Sequence, residues 1–125
     1  VGFGDIGRHT AKRLLAADMK VIAYDPHFEK SDLLSAVEPE DWPNRLSEAD
    51  FIVFTCSLTP QNRHILNQET LTLMKAGVRV VNVARGPLID ESALITALEV
   101  GQVHSVALDV FETEPLLPDS PLRQF

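Results

Sequence analysis

Cysteine is almost absent from these 125 residues, because Cys56 stands alone and no intrachain disulfide can form. Aromatic residues make up only 6% of the chain, and no apolar run approaches the length of a membrane span. Positive charge is scarce as well: the chain has 11 Lys and Arg residues and 18 Asp and Glu residues, which gives a formal net charge of −7. That charge would repel nucleic acid and argues against it as a partner. No membrane segment or secretory signal is visible, so we expect a cytoplasmic protein.

Strand sequence ahead of the first glycine is also lacking, since only Val1 precedes Gly2. We therefore expect an internal piece of a longer chain, with a truncated first strand. A hydrophobic content of 45% over 125 residues is enough for one domain with a real core, and the chain is too short for two.

The opening does contain a Gly-x-Gly-x-x-Gly pattern at residues 2–7, which leads into an amphipathic helix. In a dinucleotide site Gly2 allows a tight turn, Gly4 lets the backbone approach a diphosphate, and Gly7 lets the helix pack closely on the sheet. The diphosphate would lie on the free N–H groups at the amino end of the helix. On its own the pattern is a weak signal. The helix places these residues along one side: Ile6, Thr10, Ala11, Leu14 and Leu15.

An acidic residue follows the next predicted strand, residues 20–24. Asp25 lies 18 positions after Gly7, where a carboxylate can accept hydrogen bonds from the two ribose hydroxyls of adenosine. A 2′-phosphate would meet a like charge there, which favours NAD over NADP. The alternative is that Asp25 and Pro26 simply end a strand, since both residue types favour turns.

Three further segments rich in apolar and β-branched residues predict strands at 51–55, 78–83 and 105–108. A helix is predicted within 67–75, with Asn67 as N-cap and Gly77 as stop, and another over 91–100, between Asp90 and Gly101. Residues 26–48 predict loops and a short helical turn, mostly solvated, with Trp42 covering a core edge, and residues 110–125 predict an irregular tail. Strands that alternate with helices predict an α/β, Rossmann-type, doubly wound parallel sheet in a single domain.

Ligands bind at the carboxyl edge of such a sheet, and several polar residues are predicted to meet there. Arg85 follows a strand and could present its guanidinium fork to a carboxylate substrate. The alternative is a surface arginine paired with a nearby acid. The other residues predicted at this edge are Asp25, Ser57, Leu58, Thr59, Asp109, Glu112 and Glu114.

Two long motifs carry a resemblance to a known family. Residues 82–94 (NVARGPLIDESAL) and 107–115 (ALDVFETEP) resemble the signature of the D-isomer-specific 2-hydroxyacid dehydrogenases, which include phosphoglycerate dehydrogenases. Residues 2–26 and 57–60 match that family as well. The resemblance covers nearly the whole chain and implies an NAD-binding domain, at 1–125, of an NAD-dependent oxidoreductase.

The resemblance also implies a role for each matching residue. Arg85 would bind the carboxylate and 2-oxo group of a small 2-hydroxy acid, for which 3-phosphoglycerate is the first candidate. Glu114 would pair with a catalytic histidine, and Asp109 would contact the nicotinamide carboxamide. No metal is implied. The residues that would contact NAD are Gly2, Gly4, Asp5, Ile6, Gly7, Asp25, Ser57, Leu58, Val83, Ala84 and Asp109.

The chain departs from the family pattern in three respects. The family histidine follows Glu114 by some twenty-odd residues in a Pro-His-x-Gly context, but the chain stops at Phe125. The substrate domain is absent, and Cys56 occupies a position that is often histidine, with no catalytic role expected for its thiol. None of the four histidines present stands in the family context: His9 in the first helix, His27, and His64 and His104 in loops or turns.

Three interpretations remain open from the sequence. In the first, the parent protein is a dehydrogenase, expected to be a homodimer, and this piece alone is inactive. In the second, it is an NAD-sensing corepressor of the same fold, since such relatives can retain the arginine and the glutamate. The third interpretation is a nucleotide-binding domain without chemistry.

Overall fold

A computed structural model describes residues 1–29 and 34–125, which form five parallel strands and three α-helices. None of the helices described is long and apolar enough to cross a membrane. Short 3₁₀ turns lie at Leu46–Glu48, Gly86–Leu88 and Pro121–Gln124. The elements in chain order are α1 (Asp5–Ala16), β1 (Ile22–Ala23), β2 (Glu38–Pro39), β3 (Phe51–Phe54), α2 (Gln68–Thr72), β4 (Val78–Asn82), α3 (Glu91–Glu99) and β5 (Val103–Leu108).

The opening segment, Val1–Gly2, joins two groups of strands into one sheet. On one side the Val1 nitrogen donates to Val53 O (2.6 Å) and Thr55 N donates to Val1 O (2.8 Å). On the other side Gly2 N donates to Tyr24 O at 2.9 Å. With β1 paired to β2 and β3–β4–β5 in parallel register, the order is β2, β1, opening segment, β3, β4, β5. This is the strand order of a doubly wound dinucleotide-binding sheet, and the predicted fold is confirmed.

Apolar side chains from both faces of the sheet form the core. The larger cluster contains Phe54 and Val80 of the sheet and Leu94 of α3, each at most 1% exposed. A smaller cluster under α1 joins Phe3 and Ala11 to Ala23, Leu34 and Val37. Helix α3 therefore buries its predicted face, with Leu94 and Leu98, and α1 buries Ala11 of its predicted face.

Local sequence signals set three of the helix ends as predicted. Asn67 and Thr70 form a reciprocal capping box at the start of α2, with Thr70 N donating to Asn67 Oδ1 at 3.1 Å. Asp90 accepts from Ala93 N at 3.1 Å at the start of α3, and Gly101 takes a positive φ just after its end.

Several predicted bounds are wrong. The strand predicted at 20–24 is shorter than expected: it is β1, which covers two residues because it pairs with β2 over only two residues. The helix predicted within 67–75 is α2, but it ends at Thr72, before the predicted stop at Gly77, since Leu73 N and Met74 N turn back to carbonyls three residues earlier and tighten the last turn. β3 and β4 are each one residue shorter than predicted, and β5 begins two residues earlier, at Val103.

The region 26–48 holds more structure than predicted. Strand β2 lies there, and Val37 and Leu46 are buried, so the region is only partly solvated. Residues 30–33 of this prediction lie outside the described residues. Trp42 does cover a core edge, with its ring centroid 5.3 Å from that of Tyr24 and 6.4 Å from that of Phe54. His104 lies in β5 rather than in a turn.

An ion-pair network fastens β2 to the turn before β3. Arg45 donates to both carboxylate oxygens of Glu48, at 2.7 and 2.9 Å, and to Glu38 at 2.8 Å. Lys20 lies 3.6 Å from Glu38 and 3.4 Å from Glu48. The hydrogen bonds from Arg45 lower the pKa of Glu48 from 4.5 to about 2, and they lower the pKa of Glu38 as well.

Carboxylates with a lowered folded-state pKa stabilise the fold above their unfolded pKa, and this stabilisation is lost as the pH falls through the folded pKa. We therefore expect Arg45→Gln to lower the urea midpoint at neutral pH. The difference from wild type should shrink below about pH 4.5 and vanish near pH 2. Lys12→Gln, on the exposed side of α1, is the matched control and should show no such pH dependence. An Arg45→Gln effect of equal size at every pH would contradict this assignment.

Candidate functional site

Backbone contacts between the glycine loop, α1 and the end of β3 form the centre of the carboxyl edge. Gly2 has a φ of +92°, and a Cβ there would lie 2.6 Å from Cys56 N and 2.7 Å from its Cα. A Cβ at Gly7 would overlap the carbonyl oxygen of Gly2. The Thr55 hydroxyl donates to the same oxygen at 2.9 Å. Gly2 and Gly7 therefore allow α1 and β3 to meet at the strand-order reversal, where doubly wound sheets bind ligands.

The amino end of α1 is open to an anion. Gly4 is the N-cap of this 12-residue helix, and no side-chain hydrogen bond caps it. A Cβ at Gly4 would have no atom within 4 Å, so the space above this turn is empty. Asp5 and Ile6, the next two residues, are exposed on the same turn. The free N–H groups and the helix dipole therefore fit a diphosphate at this position. The exposure of Ile6 corrects the prediction that it packs along the inner side of α1.

Asp25 lies beside the glycine loop. Its Oδ2 accepts from Phe3 N at 2.6 Å, and its Oδ1 accepts from His27 N at 2.8 Å. Two backbone donors thus orient a half-buried carboxylate, while its remaining lone pairs stay available to a ribose. The ring of Phe28 stacks on that of Phe3 with centroids 4.8 Å apart and holds the segment after Asp25 against the loop.

The loop after β3 supplies the next predicted contacts. Ser57 and Leu58 are exposed at the edge. Asn62 shapes this loop, since its Nδ2 donates to Ser57 O at 2.8 Å and its Oδ1 accepts from Thr59 N at 2.7 Å. Burial raises the pKa of the Cys56 thiol, which disfavours the nucleophilic thiolate. That Cys56 has no catalytic role stays a prediction.

The loop after β4 is held by a buried amide. Asn82 is 1% exposed; its Nδ2 donates to Arg85 O at 2.9 Å and its Oδ1 accepts from Ala84 N at 3.0 Å. Val83 and Arg85 are exposed on this loop, and Ala84 is buried. The Arg85 guanidinium donates to Ala84 O at 2.6 Å and, among the described residues, forms no ion pair with an acid. A role for Arg85 in binding a carboxylate stays a prediction.

The segment after β5 packs directly on the Arg85 loop. A Cβ at Gly86 would overlap Phe111 O and lie 2.6 Å from Glu112 N. Asp109 is exposed, and its N–H donates to Asn82 O at 3.0 Å. Glu114 is also exposed, and its Oε1 accepts from Phe111 N at 3.1 Å. The structure therefore brings the predicted arginine and glutamate loops into contact.

Sequence reasoning missed two features of this edge. One is Asn82, although a polar residue at the end of a β-branched strand is a usable signal. The other is a pair between His64 Nε2 and Glu112 Oε1, which joins residues 48 positions apart. Nothing local in the sequence indicates that pair. His9 is exposed on α1, as predicted.

Comparison with known proteins gives a single consistent result. The family described as "D-isomer specific 2-hydroxyacid dehydrogenase, NAD binding domain" matches residues 1–125. Hydroxypyruvate reductase of Thermotoga maritima is 49% identical over 124 residues, which cover 99% of this chain and 39% of that protein. D-3-phosphoglycerate dehydrogenase of Methanocaldococcus jannaschii is 47% identical, over 98% of this chain and 24% of that protein.

Among solved structures, a D-isomer-specific 2-hydroxyacid dehydrogenase from Xanthobacter autotrophicus Py2, in complex with NADPH and MES, has a TM-score of 0.91. It is 36% identical and covers 99% of this chain, while this chain covers 40% of it. The chain thus spans well under half the length of the relatives that it matches.

Two glycine substitutions separate cofactor binding from folding. Gly4→Ala places a methyl group in the open space over α1, so NAD affinity should fall about tenfold while stability changes by less than about 1 kcal/mol. Gly7→Ala forces α1 away from Gly2 and should cost about 1–3 kcal/mol in stability. Calorimetric NAD titration and urea unfolding of both variants measure the two effects. Unchanged NAD affinity in Gly4→Ala would place the dinucleotide elsewhere.

Proposed function

The chain belongs to the D-isomer-specific 2-hydroxyacid dehydrogenases as their NAD-binding domain, and from that we propose that its parent protein transfers a hydride between NAD and C2 of a small D-2-hydroxy acid. The observation that carries the proposal is Arg85. Its exposed guanidinium stands on a loop fixed by the buried Asn82, at the same sheet edge as the glycine loop. A cation held rigidly beside a dinucleotide site suits a small carboxylate substrate.

Each residue of the edge has a separable role in this reaction. Arg85 binds the carboxylate and the 2-oxo oxygen with its fork, which fixes C2 in position. Asp109 orients the carboxamide of the cofactor, and Asp25 accepts from the adenosine ribose. When bound, NAD supplies the hydride acceptor.

The proton of the substrate hydroxyl requires a separate base. Glu114 raises the pKa of a histidine by accepting a hydrogen bond from its ring, and that histidine takes the proton. In the proposed mechanism this histidine lies in the part of the parent protein beyond Phe125. His9, His27, His64 and His104 are not assigned this role.

The substrate that we propose first is 3-phosphoglycerate. A relative 47% identical over this domain is a D-3-phosphoglycerate dehydrogenase, although a hydroxypyruvate reductase is 49% identical. A cytoplasmic location and a homodimeric parent stay predictions.

Cofactor choice is tested at Asp25. Asp25→Asn keeps one acceptor for the glycine loop and removes the charge that repels a 2′-phosphate, so the preference for NAD over NADP should narrow by about 1–3 kcal/mol. Titration of the full-length protein with both dinucleotides measures this. Asp18→Asn, at the far end of α1 and at a positive φ that asparagine tolerates, is the control. If the affinities for NAD and NADP fall by the same factor, Asp25 only holds the glycine loop in place and does not select the cofactor.

Substrate binding is tested at Arg85. The full-length protein should reduce NAD with one or more of a panel of D-2-hydroxy acids that includes 3-phosphoglycerate. Arg85→Lys should lower kcat/KM about tenfold or more, through both KM and kcat, because a point charge cannot replace the fork.

The matched control is Arg79→Lys, at the other end of β4, where the arginine lies over the Phe51 ring. Wild-type values of kcat and KM in Arg85→Lys would show that Arg85 is an ordinary surface residue with no role in substrate binding. A full-length protein inactive on every acid, but still bound to NAD, would contradict the dehydrogenase function and favour the corepressor interpretation.

A further inference from the structure

His64 is held by hydrogen bonds to its backbone N–H, its backbone carbonyl and its ring. Its backbone has a φ of +51°, a left-handed conformation that costs a non-glycine residue on the order of 1 kcal/mol. Its N–H donates to Pro87 O at 2.9 Å, and its carbonyl accepts from Asn67 Nδ2 at 3.0 Å. The ring Nε2 bonds to Oε1 of Glu112. The strained backbone therefore aims one imidazole at one carboxylate.

Glu112 is fixed just as firmly on its other side. Its backbone N–H donates to Glu91 Oε1 at 2.6 Å, and its Oε2 accepts from Glu91 N at 3.4 Å. Glu91 is the first residue of α3, so this reciprocal pair docks the Glu112 segment on the amino end of that helix. Arg63 Nη2 lies 3.9 Å from Glu112 Oε1 and adds a cation beside the pair.

These contacts enclose the loop that carries Arg85. Pro87 is bonded to His64 on one side of the loop, and Gly86 lies against Phe111 and Glu112 on the other. The bond between His64 and Glu112 joins the two sides and completes a closed set of contacts around the loop. Loops from the carboxyl ends of β3, β4 and β5 are thereby tied at one point.

We propose that His64 and Glu112 form a clamp that positions Arg85 and Glu114 for the reaction, a role that rests on the function proposed above. Arg85 is one residue from the enclosed Gly86, and Glu114 is two residues from Glu112. A small shift of either loop moves a substrate-binding group, and displacements of about 1 Å can cost about a hundredfold in rate. The contacts of the clamp do not include Asp25 or the glycine loop, so we expect most of the NAD affinity to remain without it. His64 and Glu112 are thus positioning residues, not catalytic ones.

Three variants of the full-length protein test the clamp. His64→Phe keeps a flat ring without its hydrogen bond, and His64→Gln offers an amide N–H in its place. His104→Phe, at an exposed site on β5, is the matched control. We expect His64→Phe to lower kcat/KM about tenfold to a hundredfold while the Kd for NAD stays within about twofold, and His64→Gln to restore part of the loss.

Two further measurements separate positioning from general stability. Combined with Arg85→Lys, the His64→Phe loss should be less than multiplicative, because the histidine acts through the arginine. Amide hydrogen exchange should become faster in His64→Phe at residues 83–90 and 109–114, and unchanged in α1. Exchange does not depend on turnover, so it tests the clamp even if no acid is a substrate.

Each outcome decides a separate point. Unchanged exchange at both loops would overturn the clamp. Faster exchange with wild-type kinetics, or losses that multiply fully with Arg85→Lys, would overturn the positioning role. An inactive wild type would overturn the proposed function and the catalytic part of this inference, while exchange would still decide whether the clamp exists.

Discussion

Direct backbone contact at Gly2 and Gly7 is the constraint on which the rest of this structure depends. A single methyl group at either position would separate α1, the opening segment and β3, because the neighbouring backbone already fills that space. The opening segment also supplies the backbone hydrogen bonds that connect the β1–β2 pair to β3. Tight packing at two glycines thus makes one sheet from two and sets the position of the helix end that receives the diphosphate.

The two halves of the carboxyl edge are built by different means. On the cofactor side, the backbone forms most of the site: it supplies an uncapped helix end, an open turn at Gly4 and the two N–H groups that orient Asp25. On the substrate side, buried or half-buried side chains hold the loops: Asn82 fixes the Arg85 loop, and His64 with Glu112 closes it. The first arrangement suits a ligand whose diphosphate is always the same. The second can place an arginine at a defined distance from a small substrate.

Much of this arrangement could be predicted from the sequence, because the signals involved are local. The capping residues Asn67 and Asp90 and the apolar strands gave the helix starts and the central sheet, and the family motifs gave the candidate residues. Strand β2 was missed because two residues, one of them Pro39, form it only by pairing with β1. The bonds of Asn82 and of the His64–Glu112 pair were missed for a related reason: such contacts exist only after the loops have been brought together, and no sequence period encodes them.

Gly4 differs from its neighbours in the glycine motif in a way that bears on evolution. Gly2 and Gly7 are demanded by packing, so a descendant that lost its dinucleotide would still have to keep them in order to fold. Nothing in the described structure presses on Gly4, and only the ligand would suffer from a larger residue there. Among sequences that share this fold, a larger residue at the position of Gly4, with Gly2 and Gly7 retained, would therefore mark a domain that no longer binds the dinucleotide. A search that scores the whole motif at once cannot distinguish such a domain from a divergent one that still binds it.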